Sequence, residues 1–425
     1  MYNRGMNDFE QRARRRQKTA KQRLAVVTMG VKLGNETRGY TRFRKLSEML
    51  VEAGFEVDLI TSSFQHWDKS QRDTSDPCYQ GHPYNIVFID EPGYVKNLDL
   101  RRIKSHRVAA RNMAAHFAED PWRYDLIYAE IPPNDVARAC AEAAQIAQVP
   151  FVVDVNDLWP EAMRMALDIP LVSTVAFSSF ARDARVVYRL LDAAVGTSDE
   201  YANRPAADRD QDYPHITVYV GNDLAEFDAG VSAHAGEIDK PANEVWATYA
   251  GTLGASYDLE TLVRAAAINT DRAPTVRVKV LGDGPDRAKL EQLAASLHAP
   301  VDFLGYADYP HMAAWLAKSD ITVNSLVKDA AQSIVTKVGD YLASGNPMVN
   351  TGPSPEFRNK VAHDGFGINV DAGDPEALAA AIRRLTRNSS ARKIMGAKGR
   401  AIAEKEFNQS QSYLEIVNLI KTLLA

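Results

Sequence analysis

Cysteine is scarce in this chain of 425 residues, which holds only Cys78 and Cys140. Two thiols so far apart give neither a disulfide framework nor a metal-ligand spacing, and a cytosolic location is expected. Long apolar runs are absent. No stretch reaches the ~18 consecutive apolar residues of a membrane span. The N-terminus has no apolar signal core, so secretion is not expected. The nine histidines form no HxxxH or HExxH pair, which leaves metal catalysis without a ligand set. There is no GxSxG elbow. There is also no GxxxxGK[ST] loop, and no GxGxxG followed by an acidic residue ~20 positions on. These absences weigh against nucleophile-elbow hydrolases, P-loop enzymes and nicotinamide enzymes.

What is present is an ordinary globular composition, 45% hydrophobic and 25% charged, so disorder is excluded as the dominant state. At ~150 residues per domain, two or three domains are expected. Charge is unevenly placed. Residues 1–23 carry eight basic and two acidic side chains, a net +6, against −11 for the remainder. A solvated or helical tail is one reading. The other is contact with an anionic membrane surface, at ~1 kcal/mol per basic residue. Nucleic acid is disfavoured, because the acidic remainder repels phosphates.

Strand and helix signals alternate along the chain. LAVVTMG from Leu24 reads as a strand. The next stretch places Leu46, Met49, Leu50 and Ala53 on one helix face, with Gly54 as its stop, and FEVDLIT is the following strand. Phe64–Tyr84 reads as a polar insertion. YNIVFID, DLIYA, VPFVVDV, AAVGTS and HITVYV complete a first set of strands, with helices over 98–118, after Pro133 and over 161–193. Residues 223–244 show no periodic element and read as a linker. The pattern then restarts from VWATYAGTL and runs through VRVKVLGDG, VDFLG, DITVNSL, PMVNTG and GINVDAG. The intervening helices include one over 334–345. Asp374 caps a helix that starts at Pro375. The expected architecture is α/β, with two Rossmann-like domains facing across a cleft. Ligands of open α/β sheets bind at the carboxyl ends of the strands.

Several strand ends carry chemistry-bearing residues. Gly251 and Thr252 follow one strand, and Gly282 and Gly284 another. Such turns either let a backbone approach a phosphate or simply join strand to helix. Ser333 is placed to cap the 334–345 helix, and Lys337 and Asp340 share one face of it. A lysine and open amides there suit a diphosphate, and Asp340 suits two ribose hydroxyls. A capped helix with an exposed ion pair is the plainer alternative. Asp154, Asn156, Asp157 and Glu161 follow a buried strand, as a site rim or an Asx-turn. Glu130 ends a neighbouring strand, at the same rim or in a salt bridge.

In order and spacing, DVNDLWPE, YAGTLGASYDLETLVRAA, VLGDGPDRAKLEQLA, VDFLGYADYPHMAAWLAKSDITV and SIVTKVGDYLASGNPMV resemble the retaining GT-B glycosyltransferases of family 4 (glycosyltransferase group 1). The resemblance runs from about Leu24 to Ala425. Beside the basic tail (1–23) and the linker (223–244) read from composition, it implies an acceptor-binding domain (24–222). A nucleotide-sugar-binding domain (245–405) follows, then a helix returning to the first domain (406–425). It also implies a nucleotide-diphosphate sugar as donor, a lipid-linked or polysaccharide acceptor, no metal or other cofactor, and a cytoplasmic or peripheral membrane location. The E-x7-E motif falls on Gln332 and Asp340, so Gln332 loses the charge and Asp340 keeps a carboxylate for the ribose. Ser333, Ile334 and Val335 would offer amides to the diphosphate or sugar. Gly251 matches the family's Gly-Arg-Leu…Lys-Gly signature, but Thr252 replaces the Arg and Tyr257 the Lys. Lys337 and Arg38 are the remaining candidate cations. Gly39 matches the first glycine-rich loop, and Gly305 and Tyr306 the loop beside the base. Asn156 and Glu161 fall on the acceptor side. Asp157 and Glu130 are the acidic candidates for catalysis, with Lys337 acting on the leaving group. A nucleotide-sugar epimerase of the same fold and a non-catalytic nucleotide-sugar-binding partner are the alternatives.

Overall fold

The computed structural model describes residues 21–36, 39–96, 99–159, 178–269, 274–330 and 334–425. Strands β1 (Arg23–Val27), β2 (Glu56–Ser62), β5 (Asn85–Ile89), β6 (Leu126–Ile131), β7 (Phe151–Val155), β8 (Ala193–Gly196) and β9 (His215–Thr217) form one sheet. Its order is β5-β2-β1-β6-β7-β8-β9, and every pairing is parallel. Successive side chains serve opposite faces, as the two-residue strand period requires. Ala25 and Val27 enter one hydrophobic cluster, Leu24 and Val26 the other. Both faces are buried, which is why these strands read as continuous apolar runs. Helices α1 (Arg42–Glu52), α2 (Leu100–Glu119), α3 (Asn134–Ala147), α4 (Ser178–Leu190) and α5 (Asp199–Asn203) accompany the sheet. The 64–84 insertion contains a small antiparallel hairpin of β3 (Phe64–Gln65) and β4 (Ser70–Gln71).

A second sheet is built from β10 (Glu244–Ala250), β11 (Thr275–Leu281), β12 (Val301–Gly305), β13 (Ile321–Asn324), β14 (Met348–Asn350) and β15 (Gly367–Asn369). Its order is β12-β11-β10-β13-β14-β15. Its helices are α6 (Leu224–His234), α7 (Leu259–Ile268), α8 (Arg287–Ser296), α9 (Tyr309–Lys318) and α10 (Val338–Ala343). They continue with α11 (Pro355–Asp364), α12 (Pro375–Thr386), α13 (Ser389–Ile402) and α14 (Gln409–Ser412). Strand order reverses between β10 and β13, so the crevice for a ligand in this unit lies at their carboxyl ends.

Each sheet belongs to its own unit. Met1–Val218 with Tyr413–Ala425 make one, and Tyr219–Ser412 the other. The last helix, α15 (Leu414–Leu424), is part of the first unit. There Tyr413, Ile416, Val417 and Ile420 pack with Phe43, Leu46 and Leu50 of α1.

Two expectations are corrected. The 223–244 stretch is not a linker, because it contains α6 inside the second unit. Asp223 caps that helix through the amides of Ala225 and Glu226, both at 3.1 Å, and Leu224, Phe227 and Gly230 bury its inner side. The helix expected over 334–345 begins only at Val338. The β-branched run Ile334-Val335-Thr336 loses rotamer freedom in a helix, and the chain turns there instead. Lys337, not Ser333, therefore occupies the position before the first helical residue.

Candidate functional site

Three strand ends of the second unit are laced together by main-chain hydrogen bonds. The Gly251 amide donates to Leu281 at 2.9 Å, Gly282 to Gly305 at 2.7 Å, and Leu253 to Asp283 at 3.0 Å. Gly251, Gly282 and Gly305 all have positive φ, where a side chain is strained. A Cβ on Gly282 would collide with the Gly251 carbonyl, and one on Gly284 with that of Leu253. Loop-on-loop contact thus requires the glycines. The amides of Gly251 and Gly282 are engaged by neighbouring strand ends, and that of Gly284 by Asp283 Oδ1 at 2.8 Å at the exposed turn. Of the two readings of these turns, the plain strand-to-helix join accounts for the contacts seen. Thr252 contributes its carbonyl to the Tyr249 hydroxyl at 2.7 Å. Tyr306 stands exposed beside Gly305.

Lys337 reaches into this corner. Its ammonium donates to the Tyr249 hydroxyl at 2.9 Å. It lies 4.2 Å from the centre of the Tyr249 ring and 3.9 Å from that of Tyr257. A Cβ on Gly251 would press on this ammonium, so glycine also makes room for the cation. Burial pushes the Lys337 amine down to about 7. Among the described residues no carboxylate pairs with it. Aromatic faces attract a cation, yet they leave its charge uncompensated, so the corner suits an anion.

Asp340 lies one turn further on. Its Oδ1 accepts from Asn222 Nδ2 and from the Tyr309 hydroxyl, both at 2.8 Å. Burial pushes the carboxyl up to about 6, and the two hydrogen bonds oppose that shift. Asp340 therefore does not pair with Lys337. The Asn222 Oδ1 is buried with no hydrogen-bond partner among the described residues. Sequence reasoning missed Asn222 and Tyr309, which meet Asp340 only through the fold. It also missed a ladder of asparagines across β13, β14 and β15. Asn324 donates to Asn350, and Asn350 to Asn369, each at 2.9 Å. Ile334 is half-buried and Val335 buried in the turn before α10. Gln332 and Ser333 lie outside the described residues, as do Arg38 and Glu161.

In the first unit, the Asp157 oxygens hold the Leu158 amide at 2.8 Å and the Trp159 indole N–H at 3.1 Å. Asn156 donates to the Asp154 carbonyl at 3.1 Å. These bonds keep both side chains within their own segment, but none of the three joins a side-chain oxygen to the main-chain amide two residues on, as an Asx-turn would. Glu130 accepts from the Thr28 hydroxyl at 2.6 Å and the Met29 amide at 3.2 Å. Burial pushes its carboxyl up to about 8, well above the usual carboxylate range. It ties the β1 loop to β6, and among the described residues it makes no salt bridge of the kind the sequence allowed. Gly39, with φ of +127°, sits where a Cβ would meet Lys32 at 3.0 Å. Asp154 belongs to the core instead of the rim. It accepts from Arg42 Nε at 2.8 Å, Arg42 Nη2 at 3.2 Å and the Tyr128 hydroxyl at 2.6 Å. A polar cluster that the sequence did not reveal follows β5. There Glu91 accepts from Ser62 at 2.6 Å and Ser105 at 2.8 Å. Beside it, Arg102 lies 4.6 Å from the Trp159 ring centre and 5.3 Å from that of Tyr94.

Comparison with known proteins places this geometry. Residues 245–388 match the family described as Glycosyl transferases group 1. A lipopolysaccharide core biosynthesis glycosyltransferase, LpsE of Rhizobium meliloti, is 26% identical over 193 residues, 44% of this chain and 54% of that protein. The chain thus spans about half the length of this curated relative. Sucrose-phosphate synthase from Thermosynechococcus elongatus superposes with a TM-score of 0.71 at 19% identity, over 95% of this chain and 99% of that one. HepE of Anabaena, solved in complex with UDP, gives 0.68 at 16% identity, over 94% and 100%. The chain has the two-unit α/β fold of the GT-B glycosyltransferases. Within its second unit, residues 245–388 match the group 1 glycosyltransferase family.

Proposed function

We propose that this protein is a family 4 enzyme. It transfers a sugar from a nucleoside diphosphate sugar to a lipid-linked or polysaccharide acceptor, with retention, in surface polysaccharide or glycolipid assembly. The observation that carries the reading is Lys337. It is a half-buried amine, pushed down to about 7, with no carboxylate partner among the described residues, at the switch-point end of β10, one turn before Asp340. Cleaving the anomeric C–O bond builds negative charge on the departing diphosphate, and a preorganised cation stabilises that charge. Asp340, with Oδ1 held by Asn222 and Tyr309, is a fixed carboxylate for ribose hydroxyls. The relatives add support, one named for lipopolysaccharide core synthesis and one solved with UDP. The acceptor is assigned to the first unit. The basic tail, of which residues 1–20 lie outside the described part, is assigned to anionic lipid. Among the described residues no helix is long and apolar enough to cross a membrane.

The test is a thermal-shift screen with nucleoside diphosphates, followed by nucleoside diphosphate release from the matching sugar donors. A shift with one base and release with one sugar are expected. No shift with any of them would overturn the reading. The engaged glycine amides and the absent signature Arg and Lys favour a second reading, a non-catalytic nucleotide-sugar binder. Binding without release, with or without acceptor, would establish it.

A further inference from the structure

The described residues bring two histidines and a glutamate together on the second unit, away from Lys337 and Asp340 in sequence and role. His234 ends α6, Glu237 lies in the turn that follows, and His311 is in the first turn of α9. The helices meet closely here. A Cβ on Gly230 would come within 2.7 Å of the Pro310 Cα, so glycine lets α6 settle on the start of α9. One turn later the imidazoles of His234 and His311 stack, with centres 4.0 Å apart. Both address one carboxylate: His234 Nδ1 lies 3.0 Å from Glu237 Oε1, and His311 Nε2 3.7 Å from Oε2. One ligand atom from each residue can be chosen so that all three lie within 4.8 Å of one another.

We propose that His234, Glu237 and His311 bind a divalent transition-metal ion of the zinc class. Two imidazoles and a carboxylate form a common zinc ligand set, with a fourth position left to water. Asp308 supplies the outer support such sites use. Its Oδ1 accepts from His311 Nδ1 at 2.6 Å, which in the neutral ring leaves the Nε2 lone pair for the metal. Tetrahedral zinc needs ligand atoms about 3.4 Å apart. The side chains are partly exposed, so they can close to that spacing without disturbing the core. The bound ion braces α6 against α9. The proposal does not depend on the reading above.

The experiment uses the full, tag-free chain stripped with a chelator. Zinc binding is measured by calorimetry, cobalt binding by its visible d–d bands, and the melting temperature is taken with and without zinc. One saturable equivalent, tetrahedral cobalt bands and a higher melting temperature are expected. Glu237→Gln and His311→Ala should each weaken binding at least tenfold, and Asp308→Asn should weaken it ~10-fold or more. His363→Ala, on a different helix, should leave binding unchanged. Circular dichroism confirms folding, and the near-isosteric Glu237→Gln decides the matter if a histidine variant is unstable. No saturable binding, or equal affinity in Glu237→Gln and wild type, would overturn the proposal.

Discussion

The ammonium of Lys337 sits 3.9 Å above the ring of Tyr257. This pairing gives the two departures from the group 1 signature a physical sense. Thr252 and Tyr257 stand where the resemblance places an Arg and a Lys, and the β10–α7 loop holds no basic residue from Gly251 to Asp258. The structure brings a cation to the same corner from α10, and Tyr257 supplies the aromatic face that holds it.

Replacing Lys337 with Met therefore has opposite effects on stability and binding. The amine is near 7 in the folded chain and about 10.4 when unfolded. Between these values the unfolded chain binds more protons, so wild-type stability rises with pH. Lys337→Met removes that slope. It should raise the melting temperature of the ligand-free protein at pH 7 by about 2 °C or more. Its affinity for a nucleoside diphosphate should fall ~10-fold or more, the scale of a hydrogen bond to a charged group. Thermal melts from pH 6 to 9 and calorimetric titration measure the two effects.

Asp340→Asn separates holding the fold from holding a ligand. The Asn carbonyl can still accept from Asn222 and Tyr309, so the melting temperature should move by less than about 3 °C. The second carboxylate oxygen becomes an amide, and a pair of ribose hydroxyls loses an acceptor. Affinity for a nucleoside diphosphate should drop about tenfold. The 2′,3′-dideoxy analogue should bind wild type and variant alike. If the variant discriminates between the two nucleotides as strongly as wild type does, Asp340 does not hold the ribose.

Most of the strands were legible, because a parallel strand buried on both faces announces itself as an apolar run bounded by polar turns. Helix α6 was not. Its apolar residues Leu224, Phe227 and Val231 are interrupted by acidic and small residues, and Asp223 was the signal that could have found it. The turn before α10 was hidden because a helical apolar pattern continued through the β-branched residues 334–336. Lys337 and Asp340 could be singled out from spacing. Their partners Tyr249, Tyr257, Asn222 and Tyr309 could not, since those contacts join segments far apart in the chain. For the same reason three ligands from α6, the turn after it and α9 escape any search for short histidine spacings.

The Arg42–Asp154 pair tests the first unit's core. Both side chains are buried. The guanidinium also donates to Val218 at 3.0 Å and lies 5.0 Å from the Tyr413 ring centre, so it ties α1 to β7, to the end of β9 and to the returning C-terminal segment. Asp154→Ala leaves a buried, uncompensated guanidinium. The cost should be about 3–5 kcal/mol, the range for breaking a buried pair on one side. Urea unfolding followed by tryptophan fluorescence measures it. A loss below ~1 kcal/mol would show that water or relaxation compensates the charge.

Glu130 should make the first unit less stable as pH rises through neutrality. Its carboxyl is near 8 in the folded state and near 4.3 when unfolded. Between those values the folded chain keeps a proton that the unfolded chain has lost. The contribution is thus fully present below about pH 4 and disappears as pH passes about 8. The opposite slope from Lys337 overlaps it above pH 7, so wild type alone does not separate the two. Glu130→Gln does, because the amide oxygen still accepts from Thr28 and Met29 while the titration is gone. The difference in unfolding free energy between wild type and Glu130→Gln should change by about 1 kcal/mol or more from pH 5 to pH 9. The variant should gain relative stability at the alkaline end. Parallel curves across that range would mean that the carboxyl ionises with water at hand, and Glu130 would then be available as a base at neutral pH.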